Sequence, residues 1–214
     1  MKISAIKGRD VILAIAGVAW LGVVVAGLAM LSGYDNRPGV AAHAPAQWPV
    51  QSRLVRDGER PTLVMLAHPL CDCTRASIAE LAELMARTPA APRAYVVFIA
   101  PDGTGRDWAT SDLWQRARQI PGVEVVRDEG MIETESFGVE TSGQTLLYGA
   151  DGRLLFSGGT TGARGHVGDN PGLSALLTLL ERNDPQRPVT PVFGCPLFGL
   201  QDSRRPRGPS YESI

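Results

Sequence analysis

Two cysteines one residue apart, Cys71 and Cys73, are the residues whose types and spacing best suit chemistry in this sequence. They lie between the apolar run 62–67 and the amphipathic run 78–85, which predict a buried strand followed by a helix. The first turn of a helix carries unpaired N–H groups and partial positive charge, and both favour a thiolate over a thiol. The pattern therefore predicts a redox site or a thiolate-ligand site where a strand passes into a helix.

Several neighbours of the pair are candidates for supporting roles. Thr74 and the helix N-terminus are expected to stabilise the thiolate, and Arg75 adds a cation nearby. His68 and His166 are candidate proton carriers or ligands, although a lone histidine is more often a locally hydrogen-bonded residue. His166 lies in the glycine-dense loop 158–170, which is long for a compact domain and is predicted to emerge near the thiols.

The third cysteine, Cys195, leaves the disulfide pairing open. A bond between Cys71 and Cys73 closes a small strained ring, and strain raises the reduction potential. A bond from Cys195 to either of them would be less strained, but Cys195 is equally well read as a small packing residue. Three cysteines, two of them in one motif, do not resemble a disulfide-stapled scaffold. A zinc site is disfavoured because the sequence has no second cysteine pair.

An uncharged apolar run near the N-terminus sets the expected compartment. Val11 to Leu31 is about 21 residues long, enough to cross a hydrocarbon core as a helix. Because basic residues precede it, the positive-inside rule places the N-terminus in the cytoplasm and the remainder in the periplasm; these residues are Lys2, Lys7 and Arg9. The alternative is a cleaved signal peptide with a candidate site at 42–44, although the apolar run is long for one. We predict a single-pass protein of the inner (cytoplasmic) membrane.

Composition divides the rest of the chain. The prediction is a cytoplasmic N-terminus, a transmembrane helix, a Gly-, Pro-, Ala- and His-rich linker, one domain of ordinary size and an extended tail disordered past Gln201. The respective ranges are 1–10, 11–31, 32–48, 49–184 and 185–214. The net charge of −1 excludes a partner bound through many nucleic-acid phosphates, so the expected partners are the lipid bilayer and extracytoplasmic proteins.

The soluble part predicts an α/β domain in which strands and helices alternate before a final hairpin and helix. With right-handed crossovers, this order gives a central mixed sheet flanked by helices. The predicted strands are 62–67, 94–100, 123–126, 144–148 and 154–157, and the predicted helices are 78–85, 111–119, 130–137 and 171–182.

This order resembles the thioredoxin-like proteins over Pro49 to Arg182, with the cysteines at the start of the first helix and a terminal β-β-α unit. More narrowly, the motif from His68 to Ser77, His-Pro-Leu-Cys-Asp-Cys-Thr-Arg-Ala-Ser, is similar to the membrane-anchored thioredoxin-like proteins called RedB. The resemblance implies a thiol–disulfide oxidoreductase that needs no cofactor. Cys71 would be the attacking and more exposed thiol, resolved by Cys73 or Cys195, with extracytoplasmic protein thiols or disulfides as substrates.

The sequence departs from the thioredoxin pattern in two places. Thioredoxins carry Cys-x-x-Cys, whereas Thr74 stands at the fourth position here. The family also has a proline facing the thiols before the hairpin, and the corresponding region 141–144 contains none. Gly143 is the residue there that is freest to adopt an unusual backbone conformation.

Two other functions remain as alternatives. The anchored, thioredoxin-like copper chaperones of respiratory oxidase assembly share a single N-terminal span, and the ligands here would be Cys71, Cys73 and His166, since soft thiolates select Cu(I). That family's Cys-x-x-x-Cys spacing differs from the spacing in this chain. A peroxidase of the peroxiredoxin type would need Thr-x-x-Cys, but His68 holds the threonine position.

Overall fold

The computed structural model describes residues 8–108, 110–182 and 188–198. The chain divides between Arg37 and Pro38 into two compact units, each described by itself. Most of the predicted cytoplasmic N-terminus and the predicted disordered tail past Gln201 lie outside the described residues.

The first unit contains one long helix, α1 (Gly8–Asp35). Its segment Val11–Asp35 has 25 residues and a mean hydropathy of 2.6, so it is long and apolar enough to cross a membrane. The predicted span ends at Leu31, whereas the helix continues to Asp35. Asn36, the residue just after the helix, donates a side-chain hydrogen bond to the Ser32 carbonyl oxygen.

The second unit is built on a five-stranded mixed sheet with the order β3-β2-β1-β4-β5. Its strands are β1 (Thr62–Ala67), β2 (Arg93–Ala100), β3 (Val123–Glu129), β4 (Thr145–Tyr148) and β5 (Leu154–Gly158). The first three strands run parallel, and β4 and β5 are antiparallel to their neighbours. The central position of β1 explains its continuous apolar sequence, since every one of its residues is buried.

Four helices connect or follow the strands: α2 (Asp72–Arg87), α3 (Asp112–Arg118), α4 (Ile132–Ser136) and α5 (Pro171–Arg182). Ser111 caps α3 as the sequence predicts, because its side chain accepts a hydrogen bond from the Trp114 N–H. The helix predicted from 130 begins two residues later, since Gly130 and Met131 both adopt left-handed backbone conformations.

The alternation of β1 side chains divides the core into two layers. Leu63, Met65 and Ala67 face a cluster formed with α2, α3 and α5. Val64 and Leu66 face the opposite cluster, which contains residues near α4 and from the segment that precedes β1. A β-α-β-α-β-α-β-β-α order on this mixed, two-sided sheet is the thioredoxin-like fold that the sequence predicts.

The predicted linker is partly packed against the domain. The His43 N–H donates to the Gly138 carbonyl oxygen, and the Trp48 N–H donates to that of Gly152. The Trp48 ring meets the rings of Phe137 and Tyr148 edge-on at 5.2 and 5.3 Å between centroids. This packing begins well before the predicted domain boundary at 49, because small and proline-rich segments can still pair their backbone groups with a folded surface.

Part of the predicted tail is packed as well. The Thr190 N–H donates to the Ser157 carbonyl oxygen, and the Leu197 N–H donates to that of Glu140. Thr141 and Pro196 form an isolated antiparallel bridge. We call residues 188–198 the C-terminal strap. The folded unit therefore extends past the predicted domain end at 184, and Cys195 lies within it.

Asn170 links the glycine-dense loop to α5. Its side-chain oxygen accepts from the Leu173 N–H at 2.8 Å, while its amide group donates to the buried Glu80 carboxylate. We expect Asn170→Ala to lower the free energy of unfolding by about 1–2 kcal/mol, since both bonds are lost. Asp169→Ala, which removes an exposed neighbour, is the control and should change it by less than about 0.5 kcal/mol. Urea unfolding measures both; equal effects would contradict the capping role.

Candidate active site

The two motif cysteines lie where β1 passes into α2, as predicted. Cys71 occupies the N-cap position of α2 with an extended backbone (φ −98°, ψ 113°). Its carbonyl oxygen accepts from the Thr74 N–H at 2.9 Å, and its own N–H donates to the His68 carbonyl oxygen. Cys71 is therefore fixed by the first turn of the helix, where N–H groups favour negative charge.

The structure brings Cys195 into contact with Cys71. Their Sγ atoms lie 2.6 Å apart although 124 positions separate the two residues along the chain. None of the three cysteines forms a disulfide in this structure. Cys71 is only 1% exposed, whereas Cys73 and Cys195 are both partly exposed. The prediction that Cys71 is the more exposed member of the motif is wrong, because the strap covers it.

Backbone contacts hold Cys195 over the α2 N-terminus. Its carbonyl oxygen accepts from the Ser142 N–H at 2.8 Å. The preceding residue, Gly194, packs so closely on the Ser142 carbonyl group that a side chain at this position would overlap it. Arg164 donates to the Gly194 carbonyl oxygen at 2.7 Å. The strap is thus held from two sides, by the loop before β4 and by the glycine-dense loop.

A chain of hydrogen bonds leads to the Cys71 sulfur. The Ser142 hydroxyl oxygen accepts from the His68 N–H at 2.8 Å and lies 2.7 Å from the Thr74 hydroxyl oxygen. If Ser142 donates to Thr74, the Thr74 hydroxyl is left to donate to Cys71. Burial alone would raise the pKa of the Cys71 thiol, but hydrogen bonds from Cys195 and Thr74 outweigh it and lower that pKa below its usual value. Cys71 is accordingly the more readily ionised thiol of the pair.

The pKa values of the other two thiols, Cys73 and Cys195, shift in the opposite direction. Burial and the hydrogen bond to Cys71 raise the pKa of Cys195 to about 12. Burial and the negative charge of Cys71 also raise the pKa of Cys73, and Arg164 opposes this change. Of the three thiols, Cys71 is therefore the one that ionises most readily.

The other residues predicted around the pair have different surroundings. Arg75 forms a 2.8 Å ion pair with Asp112 on α3, and both side chains are largely exposed. The positive charge of Arg75 is therefore paired with a surface carboxylate. The His68 Nδ1 atom accepts from the Leu70 N–H at 3.1 Å, and its ring contacts Trp108. Burial lowers the pKa of His68, so the ring is neutral near pH 7 and stabilises the turn before the helix.

His166 lies on the exposed part of the glycine-dense loop. Across residues 8–108, 110–182 and 188–198, no group of three or more His, Cys, Asp or Glu side chains is arranged to hold a metal ion. The copper ligands of the alternative function, Cys71, Cys73 and His166, are therefore not grouped in this structure. The reason is that the loop is fixed at other points, by Arg164 on the strap and by the Gly168 N–H donating to Glu80 at 2.6 Å.

The region that lacks the family's proline is held by a glycine. Gly143 has φ +86°, as anticipated, and its N–H donates to the Leu66 carbonyl oxygen at the end of β1. A Cβ atom there would lie 2.6 Å from the Ser77 hydroxyl oxygen of α2. The close approach of this loop to α2 positions Ser142 next to Thr74.

Two residues of the site are missing from the sequence predictions. Ser142 lies in the loop 141–144, whose distinguishing feature in the sequence is the lack of a proline, and Arg164 lies among glycines close to His166. The serine carries no signal in the sequence. The arginine does carry one, since a cation in a loop predicted to approach the thiols is a candidate for stabilising negative charge.

The Thr74 hydroxyl provides a direct test of the thiolate. We expect Thr74→Val to raise the pKa of Cys71 by about one pH unit, since the thiolate loses a hydrogen bond while the volume is conserved. Thiolate absorbance at 240 nm during a pH titration of the reduced protein would report the midpoint. Thr178→Val, on α5, is the control and should leave it unchanged. A midpoint unaffected by Thr74→Val would show that the hydroxyl does not contact the thiolate.

The chain is similar to several solved structures at low sequence identity. An uncharacterized conserved protein from Geobacillus kaustophilus has a TM-score of 0.54 and 17% identity, covering 75% of this chain and 91% of that one. A hypothetical protein from Sinorhizobium meliloti has a TM-score of 0.49 and 16% identity, covering 76% and 96%. A putative thioredoxin from Neisseria meningitidis has a TM-score of 0.44 and 15% identity, covering 68% and 93%.

No protein-family model and no curated protein sequence matches the chain. The likeness to solved structures therefore concerns the fold alone. The chain has a thioredoxin-like fold with three cysteines gathered at the N-terminus of its first domain helix.

Proposed function

We propose that this protein is a membrane-anchored, periplasm-facing thiol–disulfide oxidoreductase of the thioredoxin-like RedB group, with Cys71 and Cys195 as its redox pair. The observation that carries the proposal is the 2.6 Å contact between a thiolate-stabilised Cys71 and the protonated Cys195. Two thiols in such contact can exchange two electrons with a partner by forming or breaking one sulfur–sulfur bond.

The arrangement of charge favours a readily reduced disulfide. Stabilising the Cys71 thiolate stabilises the reduced form of the pair, and that makes the oxidised form a stronger oxidant. Cys73 is a third thiol beside the pair, which offers a second partner for Cys71 through the strained Cys-x-Cys ring. Arg164 lowers the cost of negative charge on Cys73 and Cys195 during exchange.

Two features support the proposed compartment. The apolar segment Val11–Asp35 supplies a membrane anchor, and the basic residues before it favour a cytoplasmic N-terminus. An oxidising space outside the cytoplasm is where disulfides form and persist. The substrates would be extracytoplasmic proteins with exposed thiols or disulfides, and no metal or organic cofactor is needed for the exchange.

The disulfide pairing of the purified full-length protein tests this function. The protein is oxidised with excess oxidised glutathione, its remaining thiols are alkylated, and its peptides are identified by mass spectrometry. We expect a Cys71–Cys195 disulfide with Cys73 alkylated. Failure to form any disulfide would reject the redox function. A Cys71–Cys73 disulfide would reject the proposed pair and retain the function.

Orientation is tested separately on cells whose inner membrane is intact. A maleimide that cannot cross membranes should label the partly exposed Cys73 of the reduced protein in cells whose outer envelope has been permeabilised. Labelling that requires disruption of the inner membrane would place the domain in the cytoplasm. Membrane fractionation of the same cells checks that the full chain remains with the bilayer.

A further inference from the structure

The three cysteines differ in their exposure to solvent. Cys71 is only 1% exposed, whereas Cys195, in the C-terminal strap, is partly exposed. An attacking thiolate must reach the sulfur that it bonds to, so access restricts which sulfur of a disulfide is attacked. We propose that external thiols exchange with the oxidised protein at Cys195, and that Cys71 is the inner leaving group. This assignment rests on the proposed function and reverses the roles implied by the resemblance to thioredoxin.

The strap holds Cys195 in a suitable position. Its backbone is fixed on the inner side by the Ser142 N–H, while the next residue, Pro196, is exposed. The Cys195 sulfur contacts the Cys71 sulfur, and part of the Cys195 residue remains exposed to solvent. A thiol approaching from solvent therefore meets Cys195 first, and Cys71 lies behind it. The α2 N-terminus and the strap together prevent the same approach to Cys71.

The chemistry of the leaving group supports the same direction. A thiol with a lower pKa leaves faster from a disulfide. The Thr74 hydroxyl and the backbone of Cys195 and Thr74 give hydrogen bonds that lower the pKa of Cys71, and these bonds remain when Cys195 carries the substrate sulfur, whereas burial raises the pKa of Cys195 to about 12. Attack on Cys195 thus expels the better leaving group. Attack on Cys71 would have to expel the poorer one and would need access that the structure does not give.

A dithiol substrate is oxidised in two successive displacement steps. A substrate thiolate attacks the Cys195 sulfur, the bond to Cys71 breaks, and its electron pair leaves with Cys71 as a thiolate. The second substrate thiolate then attacks the substrate sulfur of the mixed disulfide and expels Cys195, which takes up a proton. The substrate has lost two electrons and two protons. One proton is bound by Cys195, and the other remains in solvent while Cys71 is ionised.

Glutathione can be used as the probe thiol to locate the first attack. The oxidised full-length protein in detergent is mixed with reduced glutathione, quenched with acid at successive times and alkylated with N-ethylmaleimide. Peptide mass spectrometry then identifies the modified residues. At the earliest times we expect glutathione on Cys195 and the maleimide on Cys71. Glutathione appearing first on Cys71 or on Cys73 would overturn the assignment.

The Cys73→Ser variant excludes transfer through the third thiol. If Cys195 is attacked directly, its glutathione adduct is still the first adduct to form in this variant. Loss of the Cys195 adduct in the variant would show that glutathione first reacts with a disulfide that includes Cys73, and would overturn the proposal. A wild-type protein that forms no adduct at any cysteine would refute the proposed function itself, which separates the two failures.

Discussion

Cys71→Ser is expected to abolish thiol–disulfide exchange by the full-length protein. We expect a loss on the order of 100-fold or more, because a serine hydroxyl is not ionised at neutral pH and forms no disulfide. The measurement is the initial rate of reduction of a fluorescent glutathione disulfide, or of oxidation of a dithiol peptide, by purified protein in detergent. Retained activity would remove Cys71 from the mechanism.

The two remaining cysteines provide the comparison for this variant. Cys195→Ser should lose activity as fully as Cys71→Ser, since either change breaks the pair that lies in 2.6 Å contact. Cys73→Ser keeps that pair and should retain most of the activity. If Cys73→Ser were as inactive as Cys71→Ser while Cys195→Ser remained active, the working disulfide would be Cys71–Cys73.

Gly194→Ala is expected to separate the pair without removing a sulfur. A Cβ atom at this position would overlap the carbonyl group of Ser142, so the strap must move outward. Forcing an atom into a packed site costs about 1–3 kcal/mol. We expect a lower free energy of unfolding and a smaller fraction of Cys71–Cys195 disulfide at a fixed glutathione potential. Chemical unfolding and peptide mass spectrometry measure the two effects.

Gly162→Ala is the matched control for the strap variant. The nearest atom to a Cβ at this position is 3.9 Å away, an ordinary van der Waals distance. We expect its stability and disulfide fraction to remain close to those of the wild type. If Gly194→Ala behaved in the same way, the strap would not be pressed against the loop before β4, and the positioning of Cys195 would need another explanation.

The sequence predicts the central elements of the fold because their patterns are local. The apolar run 62–67 is a buried strand with the predicted bounds, and α5 also begins and ends where predicted. In contrast, the apolar periodicity of α2 is visible only from Ile78 although the helix begins at Asp72, since the polar motif residues interrupt that periodicity in the first turn. The edge strand β3 continues to Glu129 because an edge position tolerates polar residues that hide a strand in the sequence.

The site could be predicted only in part. The junction of β1 and α2 identifies Cys71 and Cys73 from the sequence alone. The contact with Cys195 could not be chosen over the alternatives, because it depends on how the strap returns to the loop before β4. The burial of Cys71 has the same origin. Both are consequences of long-range packing, which short patterns do not encode.

The separation of the paired cysteines gives the redox state a further consequence. A Cys71–Cys195 bond would join positions 124 residues apart and enclose four of the five strands. Closing a loop of this length restricts the unfolded chain and stabilises the native state by about 5 kcal/mol in the chain-entropy description. Reduction should therefore lower the melting temperature by roughly 10–20 °C, as judged by calorimetry with and without dithiothreitol. Each electron pair accepted would then loosen the whole fold, which links the catalytic cycle to the protein's resistance to proteolysis.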